Sequence, residues 1–121
     1  MAAIDELIET FLTACAVEGK GPNTVWSYRT SLADFRRVGQ RLGLPDEAEA
    51  YTVPHAYAFL NEIRERQVSP AYRHRRHREV KTFFSWCRRV DLIQENVFAR
   101  VPLVKLEQQI IQPFSAVDIE A

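Results

Sequence analysis

The stretch "SPAYRHRRHREVKTFFSWCRRV", residues 69–90, is the part of the sequence that most clearly predicts a fold. Ser69 followed by Pro70 is typical of a helix start, because serine caps the first turn and proline suits the first helical position. Four apolar residues then recur at helical spacing and predict one buried face: Val80, Phe83, Phe84 and Cys87. We therefore predict a helix from Pro70 to about Arg89.

The same periodicity predicts three earlier helices, and no segment has the pattern of a strand. In the first helix, the buried face consists of Ile4, Leu7, Ile8, Phe11, Leu12 and Cys15. In the second, which we expect Asn23 to cap and Gly43 to end, it consists of Val25, Tyr28, Leu32, Phe35, Val38 and Leu42. In the third, which we expect Thr52 to cap with Pro54 in its first turn, it consists of Tyr57, Leu60 and Ile63. A short helical turn is expected within residues 92–101, so the predicted fold class is all-α.

The composition is that of one ordinary globular domain. The chain has 121 residues, of which 46% are hydrophobic and 26% charged, and this length allows a real core. No apolar run is long enough to span a membrane, and the start of the chain lacks the pattern of a signal peptide. Cys15 and Cys87 lie on apolar stripes, so we predict reduced core thiols and a cytoplasmic protein with no membrane partner.

Positive charge is concentrated in residues 69–90. The whole chain has 16 basic and 16 acidic residues, yet this stretch contains seven of the basic ones and a single acid, Glu79. On a helical wheel, four of its residues point away from the apolar face: Arg75, Arg78, Thr82 and Arg89. Arg73 and Arg76 precede the first bulky core residue, so we expect this end of the helix to project beyond the core and to be basic nearly all round.

A basic helix of this kind favours DNA binding. A solvated structural helix usually alternates Glu with Lys, whereas here the countercharge is missing. Arginine also suits phosphate oxygens and guanine edges. The second helix adds an outward set of Asn23, Trp26, Ser27 and Thr30, although we expect Trp26 to pack on a neighbouring helix.

The order of these motifs resembles a known family, the tyrosine recombinases, which include phage integrases. In the first half, the similarity lies in Phe11-Leu12, Thr24, Tyr28, Leu32 and Phe35. In the second half, it lies in Ser69, Arg76, Val80, Lys81, Phe83-Phe84 and Trp86, followed by "LIQEN" and "PFSAVDIEA". The chain resembles the N-terminal core-binding domain of that family over essentially its whole length.

The resemblance implies a compact four- to five-helix bundle, the SAM-like core-binding fold, over residues 1–101. It also implies an interdomain linker at 102–113 and the first residues of a truncated catalytic domain at 114–121. The expected partners are double-stranded DNA at a recombination half-site and the protein's own C-terminal catalytic domain. The parent is expected to be a tetramer on DNA and the fragment a monomer. The resemblance nominates these DNA-binding residues: Asn23, Thr24, Ser27, Tyr72, Arg75, Arg76, Arg78 and Lys81.

The sequence departs from the family pattern at three places. His77 stands where the family usually has leucine, Asp91 where glycine often makes a turn, and Val97 where proline follows asparagine. Gly39, inside the second helix, is expected to mark a kink or a close helix crossing.

We predict no catalytic residue, no metal site and no cofactor for this fragment. The family's catalytic residues belong to its second domain, and His74 with His77 makes a poor metal site without further ligands. These two histidines are expected to add partial positive charge near phosphates. Two alternatives remain: a helical protein-interaction module that docks an acidic partner, and a stand-alone DNA-binding regulator.

Overall fold

Four α-helices make up most of residues 3–103, the part of the chain that the structure, a computed structural model, describes. They are α1 (Ile4–Val17), α2 (Pro22–Leu42), α3 (Val53–Glu65) and α4 (Pro70–Arg89). Two short 3₁₀ turns, Ala48–Ala50 and Val97–Arg100, complete the described elements, and no strand occurs among them. The all-α prediction is confirmed. The expected catalytic-domain start at 114–121 and most of the expected linker lie outside the described residues.

Helix α4 begins and ends where the sequence predicts. The Ser69 hydroxyl accepts a hydrogen bond from the Tyr72 amide at 3.1 Å, with Pro70 as the first helical residue. After the helix, Asp91 has a φ of 65°, the left-handed conformation that Asp tolerates better than most residues. The turn at a position where the resemblance suggests glycine is therefore made by an aspartate.

The starts of α2 and α3 differ in how well the sequence predicts them. Thr52 caps α3 as expected, since its hydroxyl accepts from the His55 amide while His55 Nδ1 accepts from the Thr52 amide. The predicted cap of α2 is wrong, because Gly21 is the N-cap and Asn23 is already helical. Proline has a fixed φ and no amide hydrogen, so Pro22 is suited to the first helical position.

The inward face of α3 is also different from the prediction. Ala56, Phe59 and Ile63 are its buried residues, whereas Tyr57 is 52% exposed and Leu60 is half-buried. The Phe59 ring packs edge-on against Phe35 with 5.0 Å between ring centroids. The helix is rotated so that this large ring, rather than Tyr57, is removed from water.

An aromatic cluster forms the centre of the bundle. Phe35, Phe59, Phe84 and Phe98 are all completely buried, and Phe98 packs 5.0 Å from Phe84. Phe98 comes from the 3₁₀ turn after α4, which therefore closes the core. Cys15 and Cys87 are free buried thiols in this core, as predicted. Leu42, predicted to be buried, is 40% exposed at the end of α2.

Gly39 does not interrupt α2, which continues to Leu42. It marks a close approach instead: a Cβ at this position would lie 3.4 Å from the Tyr51 hydroxyl. The expected close crossing is thus a contact with the loop before α3.

Candidate nucleic-acid interface

Helices α2 and α4 face each other along two matched polar stripes at their N-terminal halves. Within each stripe, the residues are separated by four and then three positions, so that they share one helical face. The stripe on α2 consists of Ser27, Ser31 and Asp34. The stripe on α4 consists of Tyr72, Arg76 and Glu79. Polar contacts therefore join the two helices along these stripes, and the rings of Phe35 and Phe84 join α2 to the C-terminal half of α4.

Asp34 is the centre of a buried ion cluster. Its carboxylate accepts hydrogen bonds from Arg66 at 2.8 and 2.9 Å, from Arg76 at 3.0 Å and from Arg37 at 2.7 Å. Burial alone would raise the pKa of Asp34, but the hydrogen bonds and charges of Arg66 and Arg76 outweigh it and hold that pKa below its usual value. The hydrogen bond to Asp34 correspondingly raises the pKa of Arg66. The cluster ties α2, α4 and the end of α3 together.

Glu79 forms the second half of the network. Its carboxylate accepts hydrogen bonds from Ser27 at 2.8 and 3.0 Å and from Ser31 at 2.6 Å. Arg76 donates to the Ser31 hydroxyl at 3.0 Å, so the two carboxylates belong to one continuous chain of hydrogen bonds. Only 3% of Glu79 is exposed.

The burial of these two acids leaves one sign of charge on the outer surface of α2 and α4. Helix α2 contains four arginines and α4 seven basic residues, while Asp34 and Glu79 are the only acids in the two helices. Because both acids are buried and hydrogen-bonded, every exposed ionised side chain on the two helices is positive. The four arginines of α2 are ion-paired, three of them with acids of neighbouring elements, so the excess positive charge that would attract a polyanion lies mainly on α4.

An open groove of about 380 Å³ lies between the first turns of the two helices. It is lined by Trp26, Ser27, Thr30, Ser69, Ala71, Tyr72, Arg75 and Arg76. Trp26 is 67% exposed at the rim, so the expectation that it packs on a neighbouring helix is wrong. Most of the indole is therefore available to a ligand in the groove.

Tyr72 lies in this groove with its hydroxyl held by two arginines. The oxygen accepts from Arg76 at 3.0 Å and from Arg66 at 3.4 Å, and the Arg76 guanidinium stacks 4.6 Å from the ring centroid. Since both contacts use the oxygen as an acceptor, the hydroxyl hydrogen remains for an acceptor in the groove.

The predicted DNA-binding residues fall into two groups. Asn23, Thr24, Arg75 and Arg78 are exposed, and the nearest acid to Arg78 is Glu79 at 3.7 Å. Lys81 is half-buried on the flank of α4. Helix α2 also has no side-chain cap and no acid in its first turn, which leaves its first amides to an external acceptor.

Ser27 and Arg76 belong to the supporting layer. Ser27 is half-buried and bonded to Glu79. Arg76 is 12% exposed and donates to Asp34, Ser31 and Tyr72, so its guanidinium is committed to internal partners. The expected projection of α4 beyond the core is therefore wrong: its first turns pack on α2 through this residue.

His77 also differs from its expected role. It is 1% exposed in the core, where burial lowers its pKa to about 4, with smaller contributions from the charges of Lys81 and His74. The ring is uncharged at neutral pH, so it adds no positive charge near phosphates.

The ion cluster itself was not foreseen from the sequence. Asp34 and Arg66 have no predicted role, and Glu79 is noted only as the single acid of residues 69–90. The signal that could have revealed them is the helical spacing of Ser27, Ser31 and Asp34 beside the apolar stripe of α2. Polar residues at such spacing predict a buried network when the facing helix supplies partners.

Comparisons with protein-family models, with curated proteins and with solved structures give no match for this chain. No helix in residues 3–103 is long and apolar enough to cross a membrane. The same residues contain no group of three or more metal-ligating side chains suited to a metal ion.

Proposed function

We propose that this chain is a duplex-DNA-binding domain, of the SAM-like core-binding type that tyrosine recombinases carry at their N-terminus. The observation that carries the proposal is the burial of Asp34 and Glu79, which leaves α2 and α4 with exposed charges of one sign. A surface of that kind suits a phosphate backbone, which supplies most of the affinity in non-specific DNA binding.

The groove and the exposed residues beside it each have a role in this proposal. Arg75 and Arg78 bind phosphate oxygens from the exposed side of α4, and the Tyr72 hydroxyl donates to another phosphate oxygen. The first amides of α2, beside Asn23 and Thr24, bind a further phosphate or a base edge. Trp26 contacts the sugars or bases between them. The Asp34 cluster fixes the angle between the two helices and so spaces these contacts.

The wider assignment rests on the family resemblance. It places this domain in the cytoplasm as one half of a clamp around a recombination half-site, with a C-terminal catalytic domain as the other half. The parent protein would act on DNA as a tetramer and the isolated domain would bind as a monomer. Cleavage and rejoining would belong to the catalytic domain alone.

The proposal is tested with a fluorescein-labelled 30-base-pair duplex of mixed sequence and fluorescence anisotropy at low salt. The wild-type domain should bind saturably at micromolar concentrations. The double variant Arg75→Ala with Arg78→Ala should bind at least about tenfold more weakly, because two phosphate contacts are lost.

A matched control removes two exposed arginines that lie outside α2 and α4, Arg64 and Arg100, which pair with Glu65 and Glu95. It lowers the net charge equally and should bind within about twofold of wild type, with the urea midpoints of all three proteins alike. Equal losses in both double variants would contradict an interface on α2 and α4. Displacement of the duplex by poly-glutamate at equal charge concentration would instead favour an acidic protein partner.

A further inference from the structure

A second groove, separate from the DNA surface, lies between α3, α4 and the chain that follows the last 3₁₀ turn. Its volume is about 240 Å³. It is lined by Tyr57, Leu60, Asn61, Ile63, Arg64, Arg73, His77, Val101 and Pro102. No residue lines both this groove and the one between α2 and α4. A molecule bound here would leave the α2–α4 surface open.

Two polar atoms of the lining residues are buried and have no hydrogen-bond partner: Nε2 of His77 and Nε of Arg73. Buried side-chain nitrogens are nearly always hydrogen-bonded in proteins, so two orphaned atoms in one groove point to a ligand. His77 and Arg73 are four residues apart on α4, and side chains at this spacing are neighbours on a helix surface. Both side chains therefore lie on the same side of α4, where they line this groove.

The two unpartnered atoms have opposite hydrogen-bonding roles. The His77 ring is uncharged, because burial lowers its pKa to about 4. A neutral imidazole carries its proton on one nitrogen, and in the tautomer with that proton on Nδ1 the Nε2 atom is a hydrogen-bond acceptor. Arg73 Nε is always a donor. The groove thus needs a ligand group with a donor beside an acceptor.

The charged side chains in the groove further restrict the chemical class of the ligand. A carboxylate could accept from Arg73 but has no hydrogen to donate to His77. An ammonium group could donate to His77 but would lie beside the cationic Arg64 and Arg73. An uncharged carboxamide supplies an N–H and a C=O on adjacent atoms, and Leu60, Ile63 and Val101 offer an apolar wall to whatever carries it.

We propose that this groove binds a small uncharged molecule that carries a carboxamide on an apolar ring or short chain. The amide N–H donates to His77 Nε2, and its carbonyl accepts from Arg73 Nε. The apolar body lies against α3 beside Tyr57.

The test is an NMR titration of the 121-residue chain with benzamide, following the imidazole resonances of His77 and the ring resonances of Tyr57. Benzamide should cause saturable shifts with a Kd on the order of 1 mM, as expected for a ligand of so few atoms. N,N-dimethylbenzamide, which lacks the N–H, and benzoate, which is charged and lacks it too, should bind at least about tenfold more weakly.

Variants on the protein side follow the same logic. His77→Leu and Arg73→Met should each weaken benzamide binding about tenfold, while Arg75→Ala, on the other groove, should leave it unchanged. Far-UV circular dichroism checks that each variant is folded, and Arg73→Met keeps the test valid if His77→Leu does not fold. No saturable shift, equal binding of benzamide and N,N-dimethylbenzamide, or full binding in both variants would overturn the proposal.

Discussion

Replacing His77 with leucine should remove a large part of the pH dependence of stability. His77 is buried with a pKa of about 4, whereas a histidine in the unfolded chain titrates near its ordinary value of about 6.5. At any pH between these two pKa values, the unfolded state binds a proton at His77 that the folded state does not bind. The free energy of unfolding therefore rises with pH through this window and falls as the solution is acidified.

The expected size follows from the two pKa values. One pKa unit corresponds to about 1.4 kcal/mol, so the full effect of His77 is roughly 3 kcal/mol, reached below about pH 4. Between about pH 7 and about pH 5, a range in which carboxylates do not yet titrate, the free energy of unfolding should fall by about 2 kcal/mol. Asp5 and Asp34 have lowered pKa values, so the stability that they add is lost only at lower pH.

The assay is urea denaturation followed by circular dichroism at several pH values between 5 and 7. The wild-type protein should lose about 2 kcal/mol over this range, and His77→Leu should lose far less, because its core position no longer titrates. His74→Gln, one turn away on the same helix, is the control and should keep most of the loss. Parallel pH profiles for wild type and His77→Leu would refute the assignment of a buried neutral imidazole.

Three further predictions concern the ion cluster, the thiols and the groove. Asp34→Ala should lower the free energy of unfolding by roughly 3 kcal/mol, measured in urea, because it leaves Arg66 and Arg76 without their buried carboxylate; a change below about 0.5 kcal/mol would contradict the cluster. Burial raises the pKa of Cys87 to about 12 and also raises that of Cys15, so a disulfide reagent such as dithionitrobenzoate should label neither thiol until urea unfolds the protein; rapid labelling at pH 8 would show that the core is open. Trp26→Ala should weaken duplex binding in the anisotropy assay while leaving the urea midpoint unchanged, since the indole is 67% exposed; unchanged binding would remove Trp26 from the interface.

The sequence predicts the helices well because their signals are local. Three of these signals act through neighbouring backbone groups, and the structure confirms each of them: the cap at Ser69, the proline at position 70 and the glycine at position 43. Apolar periodicity likewise identifies most of the core. It fails on α3, where Tyr57 and Phe59 lie on different faces of the helix and packing against Phe35 decides which ring is buried.

The candidate site depends on contacts between helices, which periodicity alone does not give. Arg76 and Arg75 are adjacent and chemically identical, yet one is bound to Asp34 and the other is exposed. The helical wheel predicts that Arg75 faces outward, but that Arg76 is bound follows from the position of a carboxylate on a different helix, 42 residues earlier in the chain. The excess of positive charge could be predicted, whereas the use of Arg76 as an internal support could not.

The proposed DNA-binding surface on α2 and α4 has exposed charges that are all positive. The salt dependence of duplex binding tests it most directly. If the domain neutralises about five phosphates, the logarithm of its binding constant should fall with the logarithm of salt concentration with a slope of about −4.5. Removing Arg75 and Arg78 should make that slope shallower by about 1.8, while removing Arg64 and Arg100, which lie outside α2 and α4, should leave it unchanged. A wild-type slope near zero, or identical slopes in wild type and the Arg75 and Arg78 double variant, would contradict the account.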